Sequence, residues 1–278
     1  MKGLSVPDYD DTILRHYRTV ANEAGDQPAS TMADERTRQL ETELIEDFVR
    51  EVLHRWRRRG KEDEQLQCVD VGCGNGYTLS VLNQVFPRLK LTGFEYTPEL
   101  RDIARRRFPE GTIQILPADV RGPKFAGDMR ADILICQRVL INLLDFTDQA
   151  AALRHLVQAT NPGGYLLLIE AFQSGLERLN EARAEFDLEA IPPAHHNLYL
   201  PDDFFSDQSE LHELQDSDVQ VARNFLSTHY FVTRVFHPLM LGNRPFKRNS
   251  HWVSFFSQAL LPNIGDYSPI RAYAFQRR

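Results

Sequence analysis

From Leu66 to Phe172 short apolar runs alternate with helical stretches, which predicts an α/β fold with a mostly parallel, seven-stranded sheet wound on both faces. Two further observations complete that expectation. A glycine-rich turn, "CVDVGCGNGYTLS" at 68 to 80, joins the first strand to the first helix of the alternation. After Phe172 the pattern breaks, and the last two strand candidates, "SDVQVARNFL" and "PIRAYAFQRR", are separated from the rest by helical and proline-rich sequence.

Taken in order, Thr31 to Arg59 reads as one long amphipathic helix. Its apolar residues Leu40, Leu44, Ile45, Phe48, Val49, Val52, Leu53 and Trp56 recur at intervals of three and four. The "TMAD" at 31 to 34 has the Thr-x-x-Asp pattern of a capped start. The strands follow as "LQCVDVG" (66–72), "LTGFE" (91–95), "IQILPAD" (113–119), "ADILICQRV" (131–139) and "GGYLLLIEAF" (163–172), with "YTLSVLNQVF", "TPELRDIARRRF" and "FTDQAAALRHLVQA" as the helices between them. "GLERLNEARAEFDL" then reads as an inserted helix and "IPPAHHNLYLPDDFF" (191–205) as a loop, with helical "STHYFVTRVFHPLML" and "HWVSFFSQALL" between the final strands. The chain is thereby divided into an N-terminal helical arm (1–60), a core (61–175), and a lid insertion that also completes the sheet (176–278).

With 278 residues, 42% of them apolar and 26% charged, the chain can bury a sizeable core. A net charge of −7 supplies no broad cationic face for a phosphate backbone, so no nucleic-acid partner is expected. The basic runs at 55–61 and 105–108 fall at helix ends, where cations complement the dipole. No apolar run reaches the roughly eighteen residues of a membrane span, and the first residues lack an apolar leader. A cytoplasmic location without a membrane partner is expected. Cys68, Cys73 and Cys136 fit neither a disulfide framework nor a Cys/His ligand spacing, so no metal is expected either.

In "VDVGCGNGY" the strand ends at Asp70 and Val71, and Gly72, Gly74 and Gly76 let the chain turn while a ligand approaches the backbone. The next strand ends at Glu95, placed to take both ribose hydroxyls of an adenosine-type ligand. A nicotinamide dinucleotide would call for Gly or Ala where Tyr77 stands. The spacing G-x-G-x-G behind an acid, "DVGCGNG" at 70 to 76, resembles the first motif of the class I S-adenosylmethionine-dependent methyltransferases, whose fold is Rossmann-like. That resemblance runs from about Leu66 to Phe172. It implies S-adenosylmethionine as cofactor, with Glu95 on the ribose, Tyr96 beside the adenine, Asp119 accepting from the adenine amino group and Val120 lining the ring. It also places Gln137 and Arg138 near the methionine part and the methyl acceptor.

Methyl transfer from a sulfonium is an in-line displacement, and a hydroxyl acceptor needs a base. "HHNLY" at 195 to 199 offers His195 and His196 as candidate bases, of which one faces the site and His196 is favoured, with Asn197 and Tyr199 able to fix a polar substrate. Asn142 either contacts the acceptor or caps the next helix. The fourth-strand turn "CQRVLIN" lacks the Asn/Asp-Pro-Pro-aromatic pattern of exocyclic base-amine methyltransferases and the paired glutamates of the protein arginine enzymes. A small polar metabolite is the expected partner, methylated on a hydroxyl or an amine. The chain is also similar to bacterial enzymes that methylate sugars or specialised metabolites, in "STM" (30–32), "RVLINL" (138–143) and "HNLYL" (196–200). An N-methyltransferase acting on an amine or peptide natural product and a cofactor-binding regulatory protein without turnover are the alternatives.

Overall fold

The computed structural model describes residues 6–24, 34–60, 64–108, 111–215, 221–242 and 249–278, with side chains from residue 12 onward. Its seven strands are β1 (Gln67–Val71), β2 (Lys90–Glu95), β3 (Gln114–Pro117), β4 (Ala131–Gln137), β5 (Thr160–Ala171), β6 (Leu211–Glu213) and β7 (Ile270–Arg277). They form one sheet in the order β3-β2-β1-β4-β5-β7-β6. The first five run parallel, while β7 is antiparallel to β5 and β6 antiparallel to β7. This is the expected doubly wound, mostly parallel sheet.

Ile133, Leu134, Ile135 and Cys136 of β4 and Leu166, Leu167, Leu168 and Ile169 of β5 have no exposed surface. Central parallel strands are covered on both faces, which is why they appear in sequence as continuous apolar runs rather than alternations. Strand order reverses between β1 and β4, with β2 and β3 on one side and β5 on the other. Open α/β sheets bind ligands beyond the carboxyl ends of their strands at such a crevice.

Helix α2 (Glu35–Arg58) lays Leu44, Ile45, Phe48, Val49 and Val52 into the main core. Its cap is Asp34, whose side chain accepts from the backbone N–H groups of Arg36 and Thr37. Thr31, expected as the cap, lies outside the described residues, as does the "STM" segment. Ahead of it stands a helix that the sequence reading left out, α1 (Val6–Ala24). Tyr17 and Ala21 pack on Leu100 and Ile103 of α4 (Pro98–Arg107), and Arg18 pairs with Glu99 at 2.6 Å. The spacing of Ile13, Tyr17 and Ala21 at four residues was the available signal.

The sixth strand departs from expectation. It is Leu211–Glu213, paired with Phe275, Gln276 and Arg277, not the segment 217–226. Residues 216–220 lie outside the described set, and 221–226 form no strand. Val221, Phe225 and Leu226 are buried there, so their apolar character records packing against the core rather than a hydrogen-bonded ladder. Beyond them, Ser227–Phe231 and His237–Leu241 are α-helical on either side of a π turn, Val232–Phe236. Val235 packs there with Leu176 and Leu179 of the inserted helix Gln173–Ala184 in a second, smaller core.

Candidate active site

The glycine turn is tied to the second strand before any ligand is considered. The N–H groups of Gly72 and Cys73 both donate to the Phe94 carbonyl, at 2.8 and 3.0 Å. The Gly74 N–H donates to a carboxylate oxygen of Glu95 at 2.8 Å, and the Thr97 N–H to the other at 2.7 Å. All three motif glycines have positive φ, 75°, 56° and 77° at Gly72, Gly74 and Gly76, where any other residue is strained. Their duties differ. A Cβ at Gly72 would collide with Val139 of the turn after β4, whereas one at Gly76 would meet Phe108 and Ala104 of the neighbouring helix at 3.0 and 3.2 Å. Gly76 is thus a close-packing glycine, away from the cavity.

That cavity, of about 400 Å³, opens beyond the carboxyl ends of β1, β2 and β4. Asp70, Gly72, Gly74, Glu95, Tyr96, Asp119, Val120 and Gln137 all line it, as do Arg138, Asn142, His196 and Asn197. Three expected site residues do not: Gly76, His195 and Tyr199. Tyr199 instead packs beside the smaller core, and burial pushes its phenol pKa up.

Burial raises Asp70 to a pKa of about 7, against the pull of the nearby Arg38 guanidinium and with the help of Glu95. Glu95 is raised by burial as well, opposed by the Thr97 and Gly74 N–H groups. Asp119 behaves otherwise. Burial works to raise it, but the hydrogen bonds and charge of Arg121 outweigh that and hold it below the usual carboxylate value. Arg121 grips both Asp119 oxygens at 2.7 to 3.0 Å and sits over the Tyr96 ring, so the carboxylate expected to meet an adenine amino group already has a strong partner.

Two residues that sequence reasoning missed organise the other end. Arg38 of α2, buried at 5% exposure, donates to Gln137 Oε1 at 2.9 Å and to Thr78 Oγ1 at 3.1 Å. Its Nε and the Nε2 of Gln137 are buried without a hydrogen-bond partner among the described residues. Unsatisfied donors of this kind are costly and signal a missing acceptor. Glu170, inside the apolar run of β5, accepts from the N–H groups of Val139, Leu140 and Ile141 at 3.0, 3.0 and 3.2 Å. Burial pushes its pKa to about 7 even against those three donors. An acid within "LLLIEAF" was the signal available.

The turn that Glu170 holds carries Arg138 at a positive φ of 54° and presents Asn142, whose amide donates to the Tyr17 hydroxyl at 2.7 Å and to the Arg138 carbonyl at 2.8 Å. Asn142 therefore fastens α1 over the site rather than capping α5 (Phe146–Ala159), a task that falls to Asp145. His196 and His16 complete the mouth, their rings stacked with centroids 3.7 Å apart. Burial, then the neighbouring His16 and His195, bring the His196 pKa down to about 4.

Residues 68–164 match a family described as a methyltransferase domain. The matched segment runs from β1 to the start of β5. The cleft could hold an adenosine-type cofactor that carries a carboxylate: Glu95 stands at the end of β2, and the orphaned Arg38 and Gln137 donors could meet an anionic acceptor. The chain is similar to a malonyl-[acyl-carrier protein] O-methyltransferase of Serratia marcescens, 29% identical over 55% of each chain. It is also similar to a trans-aconitate 2-methyltransferase of Azoarcus sp. (strain BH72), 28% identical over 51% of this chain and 49% of the relative. The chain thus spans about half the length of the curated relatives it matches. Over 98% of both chains this chain shares the fold of a Synechocystis PCC 6803 magnesium protoporphyrin IX methyltransferase with bound SAH, at 14% identity and a TM-score of 0.54. The N-methyltransferase NodS from Bradyrhizobium japonicum WM9 shares it over 94% of this chain and 97% of its own, at 15% identity and a TM-score of 0.53. No helix among the described residues is long and apolar enough to cross a membrane.

Proposed function

We propose that this chain methylates a hydroxyl of a small polar metabolite, with the arm 1–60 and the lid insertion 176–278 closing over the core 61–175, in the cytoplasm. The observation that carries the reading is the division of one cavity into two ends. Arg38, Gln137, Asp70 and Glu95 gather polar and charged groups at the strand ends, while Tyr17, Asn142, His196 and Asn197 meet at the mouth.

S-adenosylmethionine, when bound, supplies an electrophilic methyl group on a sulfonium. The Arg38 guanidinium and Gln137 amide would hold its carboxylate, and Glu95 would take the ribose hydroxyls. Asn142 and Asn197 hold the polar acceptor, and α1 with the 195–197 loop excludes water, so that the reacting atoms are held at about 3 to 3.5 Å. His196 is neutral at ordinary pH and accepts the acceptor's proton at an imidazole nitrogen as the new bond forms. Its Nδ1, buried and without a partner among the described residues, is available for that bond. His195 stands behind it and Tyr199 supports the loop from the smaller core, so neither touches the substrate.

The test is His196→Ala, with turnover and donor affinity measured separately. We expect turnover on a hydroxyl acceptor to fall by about 100-fold or more, with donor affinity within about 3-fold of wild type. Wild-type turnover would remove His196 from the mechanism.

A further inference from the structure

Outside the donor end of the cleft, one cluster has no role that its hydrogen bonds explain. His16 on α1 meets His195 and His196 of the 191–205 loop, and one ring nitrogen from each lies within 4.8 Å of the other two. His195 stands edge-on to both, with centroids 6.1 Å from His16 and 5.0 Å from His196. No carboxylate forms an ion pair with any of the three rings among the described residues. Three bases gathered without an anion repel one another if protonated, whereas each neutral imidazole keeps a lone pair that a shared cation can take.

We propose that His16, His195 and His196 bind one divalent transition-metal ion of the zinc type at the acceptor mouth of the cavity. Imidazole nitrogens select this class over magnesium or calcium, which take oxygen ligands. Zinc–nitrogen distances of about 2.0 to 2.1 Å in a tetrahedral site put ligand atoms about 3.3 Å apart. The rings must therefore draw together by about 1.5 Å from their widest separation of 4.8 Å, with His16 and His196 unstacking. Two of the three sit on a loop, where such rotations are small adjustments. Three protein ligands leave the fourth position open, and because His16 and His196 line the cavity that position faces the acceptor.

The inference rests on the proposed methyl transfer only for what the ion would do there. With the ion bound, His196 would act as a ligand while the ion held the acceptor oxygen and lowered its pKa, the proton passing to bulk water; the role of His196 as base belongs to the metal-free chain. Binding itself is independent of that reading. Local spacing could not show the site, because His16 belongs to the first helix and the other two ligands to a distant loop.

Equilibrium dialysis of the untagged full chain against zinc chloride, with metal content measured by mass spectrometry, tests it directly. We expect one ion per chain, with affinity lowered at least about 100-fold in His16→Ala and in His196→Ala. The exposed His212, replaced by Ala, should leave affinity unchanged. Folding of each variant is checked by circular dichroism, and donor affinity is titrated in the same samples. Failure to bind zinc stoichiometrically, or binding indifferent to His16→Ala in a folded variant, would overturn the metal site alone. Zinc binding without donor affinity would keep the site and overturn the transfer reading.

Discussion

Arg38 shows most plainly how one side chain ties the arm to the cleft. It is buried, bonded to Gln137 and Thr78, placed over the Tyr77 ring, and still has an unpartnered Nε. A charged hydrogen bond to an anionic group is worth about 1.5 to 3 kcal/mol, so Arg38→Ala should weaken donor binding by roughly 10- to 100-fold in calorimetric titration. Arg38→Lys should recover only part of that, since an ammonium cannot reproduce the planar fork. Equal affinity in all three proteins would remove Arg38 from the donor site. His196 carries the other residue-scale expectation. With burial, His16 and His195 all acting against its protonated form, its ring signals in a proton NMR titration should move near pH 4, not near the ordinary 6.5. Because only the neutral ring accepts a proton, its contribution to turnover is present above that value and lost as pH falls through it. A midpoint near 6.5 would contradict the buried environment described here.

At the scale of elements, the turn after β4 is shaped by a strand that it does not belong to. Glu170 on β5 collects three successive N–H groups of that turn, and the turn in turn presents Asn142 to Tyr17 of α1. Glu170→Gln replaces one acceptor oxygen with a donor facing those N–H groups. Stability should fall by about 1 to 3 kcal/mol in denaturant unfolding. Acceptor KM should rise while donor affinity holds, because Arg38 and Glu95 are untouched. An unchanged acceptor KM in the folded variant would show that the turn does not position the acceptor. These cases also show why some elements were legible in sequence and others were not. β1, β4 and β5 announce themselves because burial on both faces demands unbroken apolar runs, and the glycine turn because positive φ demands glycine. α1 was overlooked although Ile13, Tyr17 and Ala21 repeat at four, since polar residues dominate its other faces. The short sixth strand was misplaced because Val221, Phe225 and Leu226 are apolar for packing against the core, not for a strand. Arg38 and Glu170 escaped because their roles depend on partners far away in the chain.

For the whole molecule, sheet order explains why these distant pieces converge. Reversal of strand order between β1 and β4 opens the crevice, α1 and α2 cover it from the N-terminal side, and the loop carrying His196 closes it from the other. Asp34 links α2 to the C-terminal part of the chain: it caps α2 and also meets His229 Nε2 of the helix Ser227–Phe231 at 2.8 Å, while His229 Nδ1 lies 3.0 Å from Ser257 Oγ. Of the cavity lining, Asp70, Gly72, Gly74, Glu95 and Gln137 were readable because they sit at or next to strand ends whose order the alternation dictates. The lining from Tyr17, Asn142 and His196 was readable only in part, since it is assembled from a helix, a turn and a loop that sequence proximity does not join. The central claim is that this assembly passes a methyl group to a small molecule. Its most direct test is incubation of the chain with methyl-labelled S-adenosylmethionine and separated small-molecule, protein and nucleic-acid fractions of a host extract, followed by mass spectrometry of whatever gains label. Label in the small-molecule fraction is the expected result, with a mass that names the acceptor. Label confined to a macromolecular fraction, or transferred to none, would contradict the account.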